Sequence, residues 1–375
     1  MSDLRIPSDL LPRDGRFASG PSKIRPEALA ALGTRGDIMG TSHRQAGVKA
    51  LVGRVQALLA ELHALPEGHQ VVLGNGGATQ FWDVATCCLI ERRSAHGAFG
   101  EFGRKFADAV AAAPFLDEPV VAQAAPGDVA IPEAGEDCDV YAWPQNETST
   151  GVCAPVARPD GAAAGALVLI DATSAAGGMR ADLADIDAYY FSPQKNLASD
   201  GGLWIAFCSP AALERSARLR TAPGRWVPPT LDLTQAASNA AQHQTLNTPA
   251  IATLLLIEAQ LAWLLDNGGL DFAVARTTAS SGRLYDWAEN SPVARPFVAS
   301  PALRSPVVAT IELDAAVVDA KRVSAVLRAN GILDVEPYRG VGGNQLRVGC
   351  YAAVDPDDVA ALVACLDWVI ERLAA

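Results

Sequence analysis

Two ionisable residues stand where apolar runs end. "ALVLIDATSA" places Asp171 after the run 167–170, and "YYFSPQKNLASDGG" places Lys195 just past the run 188–191, 24 residues further on. Short apolar runs bounded by polar turns read as buried strands, so both side chains would stand on one rim of a sheet. In open α/β sheets ligands bind along the rim at the carboxyl ends of the strands. A primary amine there can condense with an aldehyde, and a carboxylate about one strand away can keep a pyridine nitrogen protonated. That pair suits pyridoxal phosphate. Such a cofactor also needs an anion site, which "LGNGGATQF" offers: Gly77, Ala78 and Thr79 lie at a strand-to-helix turn, where free N–H groups and the helix dipole favour phosphate. Asn247 and Thr248, before Pro249, make a second helix start of the same character. "GAFGEFGRKF" supplies aromatic cover and "WPQNETSTG" hydroxyls for a phenolic oxygen. Each feature also has an ordinary counterpart: a solvated lysine, an aspartate at a turn, a glycine turn opening a helix. The residues alone leave both readings open.

The elements that must position these groups are legible in outline. Val48, Leu51, Val52, Val55, Leu58, Leu59 and Leu62 form a helical stripe over residues 48–64. Strands are expected at 70–73, 167–170, 188–191 and 203–207, with a helix over 211–218. A long helix is expected with Thr248 as N-cap, Pro249 in its first turn and Gly268 past its end. The texture then changes: strand 306–313, helix 319–331, strand 346–351 and an amphipathic helix 355–373. The expectation is an α/β protein with a large, mostly parallel sheet flanked by helices and a smaller C-terminal α+β unit. With 375 residues, one core is seldom enough. Residues 1–20 are expected as an N-terminal segment packed on a larger unit, 21–268 as the large unit and 269–375 as the small one.

Composition narrows the function. A net charge of −12 argues against a nucleic-acid surface and means that arginines must draw in any anionic ligand locally. The seven cysteines are scattered without a C-x-x-C pair, as in reduced cytosolic proteins, and the five histidines show no zinc spacing, so no metal is expected. No signal-peptide pattern opens the chain, and the apolar stretch 251–265 is interrupted by Glu258 and Gln260, so neither export nor a membrane span is expected. A cytoplasmic location follows as the expectation.

"FASGPSKIRPE", "GTSHRQ", "GNGGATQFWD", "WPQNETSTGV", "LIDATSA", "FSPQKN", "NTPAIATLLL" and "RVGCY" resemble, in this order, the phosphoserine aminotransferases, and are nearest their actinobacterial members. These are class V, fold-type I pyridoxal-phosphate transaminases. The resemblance runs from about residue 17 to the C-terminus. It implies that Lys195 is the Schiff-base lysine and Asp171 the partner of the pyridine nitrogen. Gln194 would contact the cofactor phosphate with Gly77, Ala78 or Thr79, and Thr148 would bond the phenolic oxygen. Phe102 would cover the ring, with Phe99 as the alternative. Asn247 and Thr248 would reach the phosphate from the other subunit of a homodimer. His43, Arg44, Arg339 and Arg347 would bind substrate, because planar guanidinium groups hold phosphate and carboxylate bidentately. Tyr338 stands where many members have histidine. The implied reaction is transamination between glutamate and 3-phosphohydroxypyruvate in serine biosynthesis, with the phosphohydroxythreonine pair of pyridoxine synthesis as a second substrate. Other class V enzymes are the rivals, a serine–glyoxylate aminotransferase or a cysteine desulfurase, as is a non-catalytic protein on the same scaffold.

Overall fold

A computed structural model describes residues 4–135 and 137–374 of the chain. α1 (Pro26–Gly33) and α2 (Ala46–Leu62) lead into β1 (Gln70–Gly76), α3 (Ala78–Cys88), β2 (Ser94–Ala98), α4 (Glu101–Ala111), β3 (Val120–Gln123) and β4 (Val140–Pro144). A ribbon of β5 (Asn146–Glu147) and β6 (Val152–Cys153) precedes β7 (Leu167–Asp171), β8 (Ala188–Phe191) and β9 (Gly202–Cys208). Helices α5 (Pro210–Arg220), α6 (Leu233–Ala240), α7 (Ile251–Asp266) and α8 (Gly269–Asn290) follow. The chain finishes with β10 (Ala294–Pro296), β11 (Val308–Leu313), α9 (Ala320–Ala329), β12 (Gln345–Gly349) and α10 (Pro356–Ala374).

Seven strands make one sheet in the order β1-β9-β8-β7-β4-β2-β3. All neighbours pair in parallel except β9, which is antiparallel to both β1 and β8. The mostly parallel α/β architecture read from the sequence is therefore present, with one reversed strand that the apolar runs did not foretell. Chain length explains the reversal. A parallel crossover takes about a dozen residues or more, usually with a helix, and residues 192–201 between β8 and β9 are too few. The chain turns back instead, and Lys195 lies in that turn.

Period-two alternation sends side chains to both faces of the sheet. Val168 and Ile170 of β7, Tyr141 and Trp143 of β4, and Leu203, Ile205 and Phe207 of β9 join a core shared with α2 and α7. Their strand neighbours Leu167, Leu169, Val140, Ala142, Trp204 and Ala206 join the opposite core, under α3, α4, α5 and α6. Burial on both faces is why these strands read as continuous apolar runs. A third core gathers the antiparallel sheet β10-β11-β12 with α9, α10 and the C-terminal half of α8. Ile6 and Phe17 enter it from the N-terminal segment, which is stitched on through Phe17 N–H to Leu333 O at 3.3 Å and Gly349 N–H to Phe17 O at 2.8 Å.

The structure departs from the sequence reading at the start of α7 and adds α8 after it. α7 begins at Ile251 with Ala250 as N-cap, not at Thr248. The Thr248 hydroxyl is engaged with His43 Nδ1 at 3.0 Å instead of a helical N–H. α8 was not anticipated as an element: it starts directly after the Gly268 turn and runs from the first core, through Ala273, to the third, through Leu284, Tyr285 and Ala288. Among the described residues no helix is long and apolar enough to cross a membrane, and no group of three or more His, Cys, Asp or Glu could hold a metal ion.

Ile205 is fully buried at the centre of β9. Ile205→Ala is expected to lower stability by about 2–5 kcal/mol, through lost transfer energy and an unfilled cavity. An unchanged urea midpoint would show that the sheet does not depend on this packing.

Candidate active site

β7 and β8 are parallel neighbours, with Asp171 opposite Tyr190. Asp171 is the last residue of β7 and Lys195 lies in the turn after β8, so the two leave the sheet at adjacent strand ends. Both are more than nine-tenths buried. The Lys195 ammonium donates to Thr148 Oγ1 at 2.8 Å and lies 5.3 Å from the centroid of the Phe102 ring. Burial lowers its pKa to about 8; the Asp171 carboxylate opposes that fall, the Arg347 guanidinium adds to it, and the Glu147 carboxylate opposes it weakly. At pH 7 roughly a tenth of the amine is then neutral. Asp171 accepts the Thr173 N–H at 2.9 Å, and burial pushes its carboxyl upward from the usual range.

These groups line a cavity of about 460 Å³. One wall is the start of α3. β1 ends at Gly76, whose φ of +122° is open to glycine and strained for other residues. The chain then passes through Gly77, an N-cap with no side-chain bond, into Ala78 and Thr79. Helix geometry leaves first-turn N–H groups without α-helical acceptors, and Gly77, Ala78 and Thr79 line the cavity, where such a helix start suits an anion. Gln194 contributes a carboxamide whose Oε1 is buried without a partner, as is the Thr173 hydroxyl. Arg347 closes the other side. Its guanidinium donates to Thr148 O at 2.8 Å and sits 5.2 Å from the Tyr338 ring, while its Nε is buried without a partner.

Of the residues predicted from sequence, Gly77, Ala78, Thr79, Phe102, Thr148, Asp171, Gln194, Lys195 and Arg347 line this cavity. Phe99 lies behind it, fully buried in the core. Arg339 is exposed on the glycine-rich loop and is not on the lining. His43, Arg44, Asn247 and Thr248 are not on it either, but they form a patch of their own. His43 meets Thr248, Arg44 donates to Gln244 Oε1 at 3.0 Å, and the Asn75 amide donates to Thr248 O at 2.8 Å. None of the cysteines is on the lining.

Sequence reasoning assigned no role to Trp82, Ser174 or Glu147. Trp82 lies one turn along α3 from the phosphate-type loop, so helical spacing was a usable signal. Ser174 accepts from Thr148 Oγ1 at 2.9 Å and from the Asn146 amide at 2.8 Å, and donates to Asn146 O at 3.0 Å. It therefore joins "NET" to "DATS", a contact across the sheet that no local pattern reports.

With this geometry in hand, comparison with known proteins is informative. The family description "Aminotransferase class-V" matches residues 132–334. A relative in Mycobacterium leprae is 60% identical over 371 residues, 99% of this chain and 98% of its own. A Nocardioides protein named phosphoserine aminotransferase is 58% identical over 372 residues and 99% of each chain. Among solved structures, the phosphoserine aminotransferase from Bacillus circulans superposes with a TM-score of 0.82 at 22% identity, covering 96% of this chain and 99% of that one. At that identity the match shows the fold. The chain belongs to the class V aminotransferases. Its nearer relatives, at about three residues in five, place it with the proteins called phosphoserine aminotransferase.

Modification by an amine-reactive reagent, followed at the Lys195 peptide by mass spectrometry, should rise with pH around a midpoint near 8. In Asp171→Asn the opposing negative charge is gone, so the midpoint should fall below that value. A midpoint above 10 in the unsubstituted chain would mean that the amine is solvated.

Proposed function

We propose that the chain transfers the amino group of L-glutamate to 3-phosphohydroxypyruvate, giving 2-oxoglutarate and O-phospho-L-serine, with pyridoxal 5′-phosphate as cofactor. The observation that carries this reading is the buried Lys195 amine, which lies beside Asp171 and under the Phe102 ring and whose pKa burial lowers to about 8. The cavity's donor set suits the cofactor. It has an amine for the aldehyde, a carboxylate for the ring nitrogen and a hydroxyl at Thr148. A helix start at Gly77, Ala78 and Thr79, with the unpartnered Gln194, suits the phosphate, and Phe102 suits the ring face. When bound, the cofactor supplies an electron sink for the charge that develops at the substrate Cα.

The protein's own groups do the rest. Lys195 Nζ takes the Cα proton of the donor and returns one to the Cα of the acceptor, a base and acid in turn, which requires a pKa near the working pH. Asp171 keeps a negative charge against the ring nitrogen. Arg339 and Arg347, with His43 and Arg44, supply the cations for the phosphate and carboxylates of the substrates. The half-buried Arg347, with its Nε unpartnered on the cavity, supports a carboxylate there. Asn247 and Thr248 would reach the cofactor phosphate of a second copy. Their position off their own cavity, in one patch with His43 and Arg44, supports a homodimer whose sites are shared. The phosphohydroxythreonine pair would fit the same anion-binding groups, and a cytoplasmic setting suits the scattered free thiols. The third core supports a smaller C-terminal unit within 269–375 carrying residues 1–20, beside a larger unit of 21–268; α8, Val298 and Ala352 join the two, since Ala273, Val298 and Ala352 pack in the first core.

The discriminating experiment compares phosphohydroxypyruvate with hydroxypyruvate as acceptor from glutamate. A strong preference for the phosphorylated acid is expected, and equal rates would overturn the substrate assignment. Lys195→Ala should lower transamination by at least about 10²-fold, the lower bound of a general acid–base contribution. Arg44→Ala should raise KM for the phosphorylated substrate far more than for glutamate. At phosphorylated-substrate concentrations where Arg44→Ala turns over slowly, mixing it with inactive Lys195→Ala chains should restore activity through hybrid dimers; no recovery would place Arg44 in its own subunit's site.

A further inference from the structure

Glu147, immediately before Thr148, is completely buried. Its Oε2 accepts the backbone N–H of Phe102 at 3.0 Å and of Gly103 at 3.1 Å, and its Oε1 accepts the Ser149 N–H at 3.1 Å and hydroxyl at 2.6 Å. The Ser149 Oγ itself accepts the Glu101 N–H at 3.0 Å. Three of the four partners of Glu147 are backbone N–H groups, which can only donate, an arrangement that suits the carboxylate form. Burial pushes its carboxyl upward from the usual range, while the bonds from Ser149, Gly103 and Phe102 hold it down.

The two N–H groups on Oε2 belong to the first turn of α4, where a helix leaves its donors unpaired. The N-cap there is Gly100, which has no side chain to satisfy them. A Cβ at Gly100 would overlap the Glu147 side chain, so the bare N-cap is what admits a cap from outside the helix. The same turn carries Phe102, whose ring faces Lys195 Nζ, and the residue after Glu147 accepts the Lys195 hydrogen bond. A carboxylate that caps a helix from a neighbouring loop sets the distance between them, and charge-assisted bonds of this kind are about twice as strong as neutral ones.

We propose that Glu147 is a positioning residue, whose carboxylate pins the first turn of α4 to the loop 146–149 and thereby fixes the Phe102 ring over the reacting amine. The inference rests on the transaminase reading only in naming Lys195 as that amine. The first test is independent of activity. In the full chain without cofactor, Glu147→Gln should speed backbone amide exchange at Phe102 and Gly103 by about tenfold or more, since a carboxamide offers one acceptor where two bonded, with β7 and β8 unchanged. The second is a double-substitution cycle with Phe102→Leu. In the cofactor-loaded enzyme Glu147→Gln should lower kcat about tenfold with KM for glutamate little changed, and the loss should shrink to under about threefold when Phe102 is already leucine. Equal losses in the two backgrounds, or unchanged amide exchange, would overturn the proposal. Ser149→Ala, which removes one donor and leaves the carboxylate, goes through the same cycle and should show a smaller loss with the same dependence on Phe102. It decides the question should Glu147→Gln fail to fold. An unsubstituted chain that is inactive but protected at Phe102 would defeat the transaminase reading and leave the positioning role standing.

Discussion

A lysine side chain taken out of water is the constraint on which the site depends. Desolvation disfavours the ammonium, an adjacent carboxylate favours it, and the balance between the two sets the proton affinity of the amine. In this protein desolvation dominates and Asp171 limits the fall. Without the carboxylate the proton affinity of the amine would fall further, and without the burial it would rise towards that of a solvated lysine. The opposed pair works because both residues arrive at adjacent strand ends with their backbones already committed to the sheet.

The turn that holds Lys195 is itself a consequence of the sheet. β9 reverses because residues 192–201 cannot span a parallel crossover, and its pairing with β8 closes the lysine into a short, buried connection. Asn196 reinforces it, donating to Ser174 O at 2.7 Å and accepting the Ala352 N–H at 3.2 Å. The lysine loop is thereby tied to the end of β7 and to the C-terminal unit at once. Arg347 reaches the same cavity from β12, so its guanidinium and the amine are set by two different sheets.

Around this pair the polar groups form a continuous fabric and not a set of isolated ligands. Thr148 accepts from Lys195 through its hydroxyl, donates to Ser174, and receives Arg347 on its carbonyl. Glu147 beside it holds the helix that carries Phe102. Glu147 and Thr148 thus join the amine, the helix that carries the Phe102 ring and the Arg347 guanidinium. Displacement of their backbone would move all three together, which in a site built on distances of a few ångströms is costly.

The strand runs, the helical stripe of α2, the glycine turn before α3 and the pairing of Asp171 with Lys195 on one rim were determined by the sequence alone, because burial pattern and turn chemistry are local and survive without knowledge of neighbours. The motif order extended that to the identities of the cavity-lining groups. What only the tertiary structure decided depends on residues far apart in the chain. The reversal of β9 follows from which strands are adjacent, and the Thr248 hydroxyl, rather than capping α7, meets His43, 205 positions away. The choice of Phe102 over Phe99 as the ring on the cavity follows from how α4 lies against β2. The cap that Glu147 places on α4 joins residues 44 to 45 positions apart. Such contacts carry no period and no spacing, so they become visible only when the chain has folded and brought donor and acceptor to hydrogen-bond distance.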